Sequence, residues 1–132
     1  MDETTKPRIL IVEDDPDLRK ILSLQLQSEG FLVLTAENGQ VAFEMIQRDL
    51  PDCVVLDLMM PVMDGFNFLK RIRTLDRIAQ VAVVVLTASE DDRHRRKSEL
   101  YLADAYINKP YDLKELTAII CRLCQVAYYP AP

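Results

Sequence analysis

Five side chains in this sequence share a chemistry: Glu13, Asp14, Asp57, Thr87 and Lys109. Each stands at the end of a short run of apolar, β-forming residues: Arg8-Ile9-Leu10-Ile11-Val12, Cys53-Val54-Val55-Leu56, Val81 to Leu86, and Ala105-Tyr106-Ile107-Asn108. Such runs read as strands buried on both faces of a parallel sheet, and open α/β sheets bind ligands in the crevice outside the carboxyl ends of their strands. Carboxylates gathered there repel one another, and the usual remedies are a shared proton or a hard divalent cation. Magnesium takes oxygen ligands and keeps several waters, so Asp14 and Asp57 with water and a backbone carbonyl form the expected Mg2+ site. Lys109 supplies a mobile point charge suited to phosphate oxygens, and Thr87 a hydroxyl donor. Together these parts suit phosphoryl transfer, with Asp57 as the in-line nucleophile that becomes an acyl phosphate.

Asp57 carries most of this reading. It closes a strand bounded by Pro51-Asp52 and Pro61, where an unpaired carboxylate would be costly to bury without partners. Taken singly, Asp57 could cap a helix or a turn, Lys109 could be a surface lysine and Thr87 an ordinary strand threonine. Four strand ends carrying compatible groups favour a site.

The elements that must bring these ends together follow in regular order. Asp15-Pro16 predicts a helix start, with aspartate as cap and proline at the first helical position; that helix carries Leu18, Ile21, Leu22, Leu24 and Leu26 and stops at Gly30. A second strand is expected from Phe31 to Thr35, then a turn at Asn38-Gly39 and a helix with Val41, Ala42, Met45 and Ile46 on one side. A third helix begins at Gly65, with Phe66, Phe68, Leu69 and Ile72 apolar. Ser89-Glu90-Asp91-Asp92 has the spacing of a capping box and predicts a polar fourth helix. Asp112 is expected to cap a last helix carrying Leu113, Leu116, Ile120 and Leu123. Five β-α units with right-handed crossovers predict an α/β fold, a flavodoxin-like doubly wound five-stranded parallel sheet of order 2-1-3-4-5 flanked by five helices.

At 132 residues the chain is one domain, expected to comprise a polar lead-in over 1–6, a folded domain over 7–127 and a tail or linker over 128–132. Its 49% hydrophobic and 28% charged content describe an ordinary globular protein. The acidic start lacks the basic flank of a secretory signal, no apolar run is long enough to cross a bilayer, and three cysteines lack framework spacing, so a cytoplasmic protein is expected. A net charge of -5 disfavours direct binding of nucleic acid or an anionic membrane.

With these residues in view, the chain strongly resembles the receiver domain of two-component response regulators over roughly residues 7 to 126. The resemblance rests on Glu13-Asp14, Asp57, Pro61 with Met63-Asp64-Gly65, Thr87-Ala88, Tyr106 and Lys109-Pro110. It implies that Asp57 is the phosphoacceptor, charged by a sensor histidine kinase, a phosphotransfer protein or a small phosphodonor. It further implies magnesium bound by Asp14, Asp57 and the backbone carbonyl of Met59, with Glu13 acting through water. Lys109 and Thr87 would contact the phosphoryl oxygens, and Thr87 and Tyr106 would relay the change to a face formed by the fourth helix, fifth strand and last helix. On this resemblance the domain is a signalling switch that assists its own phosphorylation and dephosphorylation, not an enzyme with a separate substrate.

Three positions depart from the family's pattern. Leu102 stands where receivers usually have glycine; Ala105 and Ile119 stand where many transcriptional regulators carry an acid and an arginine, so their salt-bridged dimer is not supported. Met59 and Ser89 occupy the positions that tune phosphoryl lifetime, and neither orients water well. A long-lived phosphoryl group is expected, shortened by Met59→Asn.

Rival readings fit less well. A haloacid dehalogenase-type aspartyl-phosphate phosphatase wants a second aspartate two residues after the nucleophile, where this chain has Met59. A flavodoxin-like nucleotide-binding domain wants a glycine- or hydroxyl-rich loop in place of Glu13-Asp14-Asp15. A degenerate receiver that only binds proteins is opposed by the full set of acids and the lysine. Cys121-Arg122-Leu123-Cys124 has redox-motif spacing but lies late in a helix, which favours packing. His94 reads as solvated, and the basic run 93–97 as a helix face paired with Asp91 and Asp92. Apolar residues around Ile119 exceed one buried stripe, which suggests a homodimer or partner surface on the fourth-helix, fifth-strand and last-helix face.

Overall fold

The computed structural model describes residues 6–57, 65–75, 80–87 and 103–128. Its elements are β1 (Arg8–Val12), α1 (Pro16–Ser28), β2 (Leu32–Ala36), α2 (Gly39–Arg48), β3 (Cys53–Asp57), α3 (Gly65–Arg73), β4 (Ala82–Thr87), β5 (Ala105–Asn108) and α4 (Leu113–Leu123). All strand pairs are parallel and the sheet order is β2-β1-β3-β4-β5, the expected doubly wound arrangement. The expected fourth helix from Ser89 lies outside the described residues, so α4 is the predicted last helix. Among the described residues, no helix is long and apolar enough to cross a membrane.

Strand side chains alternate between two cores, as the period of two requires. Leu10, Val12, Val54, Leu56, Val83 and Val85 face α2 and α3, where Phe43, Phe68 and Ile72 complete one cluster. Ile9, Ile11, Cys53, Val55, Val84 and Leu86 pack with Leu22 and Leu26 of α1 and with Leu116, Ile120 and Cys121 of α4. Burial on both faces explains why β3 and β4 read as continuous apolar runs.

Helix ends follow their local chemistry. Asp15 accepts from the amides of Asp17 and Leu18 at 2.8 and 3.2 Å, Asn38 from Val41, and Asp112 from Lys114 and Glu115. Gly30 has φ +97°, where an L side chain would be strained, and its amide bonds the Gln27 carbonyl to end α1.

Two expectations shift. Strands β2 and β4 run one residue later than read, because Phe31 and Val81 are buried but precede the ladder. Helix α1 buries only Leu22 and Leu26; Leu18, Ile21 and Leu24 are about half exposed, since a helix lying on a sheet covers one stripe.

Polar links gather at the amino ends of the strands. The Arg8 guanidinium grips Asp49 with two bonds of 2.7 and 2.5 Å, and the Arg8 amide donates to Asp52 Oδ2. At the other side of the sheet, Arg73 donates to the Val81 carbonyl and to Asp104, whose Oδ2 also accepts from the Val83 amide at 2.7 Å. Both links join chain segments that are remote in sequence.

Candidate functional site

Strand order decides which ends converge. Because β3 lies between β1 and β4, with β5 beyond, the residues that follow β1, end β3 and follow β5 open on one crevice. Register sets Asp57 beside Leu86 and Thr87 beside Asn108, so Thr87 stands one step past Asp57 and Lys109 follows directly. The Lys109 amide donates to the Thr87 carbonyl at 2.8 Å, fixing the start of the β5-α4 loop, and the Lys109-Pro110 peptide is cis.

Asp57 is buried, 6% exposed, and accepts from Lys109 Nζ at 2.9 Å. That ion pair partly offsets the desolvation of both groups. Glu13 is equally buried, and one oxygen from each of Glu13, Asp14 and Asp57 lies within 4.8 Å of the others. Burial first, then the neighbouring carboxyls of Asp57 and Asp14, push Glu13 up to about 8 against the pull of Lys109. Its Oε2 is buried without a hydrogen-bond donor. Three oxygens at this spacing, one of them unsatisfied, fit a hard divalent cation better than a shared proton alone.

The loop that carries Glu13 and Asp14 is held in place from several sides. The Glu13 amide bonds the Ala36 carbonyl, Arg19 Nη1 donates to the Glu13 carbonyl at 2.9 Å, and Asp15 caps α1. Thr87 is fully buried at the end of β4. Tyr106 is half-buried on β5 and packs against the cluster under α2 and α3. Met59, Ser89 and Leu102, His94 and the basic run 93–97 lie outside the described residues.

Sequence reasoning missed one feature of the site. A groove of about 290 Å³ lined by Glu13, Leu18, Ile21, Leu22, Gln25, Lys109, Pro110 and Tyr111 opens beside the carboxylates. Tyr111 Oη donates to Gln25 and closes its floor between α1 and the β5-α4 loop. The signal was available as an excess of leucine and isoleucine on α1 over what one buried stripe uses.

The family model described as the response regulator receiver domain matches residues 9–121. The chain belongs to the response regulator receiver domain family. Its receiver fold is shared with a response regulator protein, TrrA, from Thermotoga maritima, solved in complex with Mg2+ and BeF; TM-score is 0.78 at 33% identity, covering 89% of this chain and 98% of that one. A "Probable transcriptional regulator ycf27" from Guillardia theta is 38% identical over 91% of this receiver and 46% of its own length. An uncharacterised 14.6 kDa protein from Leptolyngbya boryana is 35% identical over 88% of each chain. The receiver thus spans about half the length of the first of these relatives and most of the second. Two of these relatives are named as regulators, a response regulator and a probable transcriptional regulator.

Proposed function

We propose that this receiver is a phosphorylation-driven switch in which Asp57 accepts a phosphoryl group from a histidine kinase or phosphotransfer protein. The observation that carries the reading is the buried Asp57 carboxylate, held 2.9 Å from Lys109 Nζ and ringed by Glu13 and Asp14. An Asp57 oxygen attacks phosphorus as the bond from phosphorus to the donor nitrogen breaks, giving an acyl phosphate and a free imidazole. Lys109 exchanges its carboxylate contact for a phosphoryl oxygen, and Thr87 donates its hydroxyl to another. Asp14, Asp57 and the Met59 carbonyl, with Glu13 through water, would hold Mg2+. Bound there, Mg2+ would supply positive charge to offset that on the transferring group. The phosphoryl oxygens draw Lys109 and Thr87 toward the acyl phosphate, and Thr87 and Tyr106 shift as a two-state element toward the face formed by the expected fourth helix, β5 and α4. That face is the candidate surface for a homodimer or output partner.

The groove beside the site supports a protein donor. Leu18 and Ile21 are 47% and 50% exposed at its rim, where an apolar helix of a donor could seat its histidine near Asp57. The reading assigns residues 7–127 to the receiver, with 1–6 as lead-in and 128–132 as tail or linker. Intact mass after incubation with magnesium and an acyl phosphate tests the proposal. One phosphoryl group should be gained by the native protein and not by Asp57→Asn or a chelated sample. Equal gain by Asp57→Asn would remove Asp57 as the acceptor.

A further inference from the structure

The fold brings together two cysteines that the sequence separates. Cys53 opens β3 and points to the face shared by Ile9, Ile11, Val55 and Val84, which α1 and α4 cover. Helix α4 returns antiparallel to the strands, so its last turn arrives at their amino ends, where Cys124 caps it. Both side chains belong to the same core cluster, and each thiol shifts the titration of the other. Cys121, one turn earlier on α4, is buried in that cluster and reduced, as are the other two.

We propose that Cys53 and Cys124 form a reversible redox pair that closes to an intramolecular disulfide when the protein meets a low-molecular-weight disulfide. Cys124 is the half-buried member and the one an outside reagent reaches, whereas Cys53 is fully buried. Their proximity divides the roles further: interaction with Cys53 lowers the Cys124 thiol, while interaction with Cys124 and burial hold Cys53, whose Sγ donates to the Val54 carbonyl at 3.7 Å, well above its usual range. Cys124 thiolate attacks a sulfur of the reagent, making a mixed disulfide and expelling one thiol. Cys53 then attacks the Cys124 sulfur and expels the second thiol. The protein dithiol is oxidised by two electrons, the reagent is reduced to two thiols, and the two protein protons leave with them. The closed bond ties the strand that ends in Asp57 to the end of α4 across roughly 70 residues of chain.

Oxidised glutathione, intact mass and tryptic mapping without reductant test this on the full chain. Trypsin cuts after Arg122 and so separates Cys121 from Cys124. The native protein and Cys121→Ser should lose two hydrogen masses, yield a peptide joining Cys53 to Cys124, and melt several degrees higher. Cys53→Ala, which keeps the buried position apolar, should stop at a glutathione adduct on Cys124. Cys124→Ser should remain unmodified at Cys53. A Cys121–Cys124 link, loss of two hydrogens in Cys53→Ala, or a native protein that stops at the adduct would each overturn the proposal.

Discussion

Lys109 Nζ and Asp57 Oδ2 meet at 2.9 Å although 52 positions separate them in the chain. The lysine arrives from the loop after β5 and the aspartate from the end of β3, so their contact depends on β4 lying between the two strands. Removing Lys109 takes a charge-assisted contact away from a buried carboxylate. Lys109→Met should lower the stability of the metal-free protein by about 2 kcal/mol, and adding Asp57→Asn should recover most of that loss. Thermal melts of the two single variants and the double variant measure the coupling. A double variant no more stable than Lys109→Met would show that the pair does not act as a unit.

Glu13 stands on the other side of the same carboxylate and has no donor for Oε2. Glu13→Gln removes a buried acid from a crowded site, so the metal-free protein should melt a few degrees higher, on the order of 1 kcal/mol. The same change takes away an acceptor for a cation, and magnesium affinity should fall roughly tenfold. Calorimetric titration with Mg2+ beside melts in chelator reads both effects. Unchanged affinity together with a lower melting temperature would contradict the arrangement.

Ile21 tests the groove separately from the chemistry. It is half exposed on α1, and Ile21→Asp places a charge on the rim without touching Asp57 or Lys109. Phosphoryl transfer from purified histidine phosphotransfer domains should slow at least about tenfold, whereas acyl phosphate should work as before. Parallel loss with both donors would mean that the substitution disturbs the site itself.

A pH-dependent contribution is expected at the far end of the sheet. Hydrogen bonds from Arg8 hold the Asp49 carboxyl below its ordinary value of 3.8. A carboxylate whose pKa is depressed by folding adds stability above its unfolded value, and that contribution is lost as pH falls through the folded one. Asp49→Asn should therefore melt below the native protein near neutral pH, with the gap closing below about pH 4. A gap that persists at about pH 2.5 would point to packing as the source of the difference.

Much of this was legible in the sequence because local and global signals agree. Asp15-Pro16, Asn38-Gly39, Gly30 and Asp112 mark helix ends by their own chemistry, and the apolar runs mark strands buried on two faces. Parallel order followed from the alternation of elements, and it was enough to bring Glu13, Asp14, Asp57 and Lys109 together. Side-chain fate on α1 was not legible. Leu18, Ile21 and Leu24 have the same apolar character as Leu22 and Leu26, and only the orientation of the helix on the sheet divides them. The neighbourhood of the cysteines was hidden for a similar reason: spacing links Cys121 with Cys124, but the return path of α4 brings Cys124 against the core cluster that holds Cys53. The raised pKa of Glu13 likewise comes first from its burial and from Asp57 on another strand, and only in part from its sequence neighbour Asp14.

The two arginine links described at the amino ends of the strands give the domain a fixed end and a working end. Arg8 binds the approach to β3, and Arg73 joins α3 to the starts of β4 and β5 through Val81 and Asp104. The reacting groups all sit at the opposite end, Asp57 and Thr87 as the last residues of β3 and β4, and Glu13, Asp14 and Lys109 just past β1 and β5. On the proposed switch, a change at Asp57 would act on a beam clamped at its far side: the strands would keep their register, and displacement would be steered sideways into the loops and the edge formed by β5 and α4.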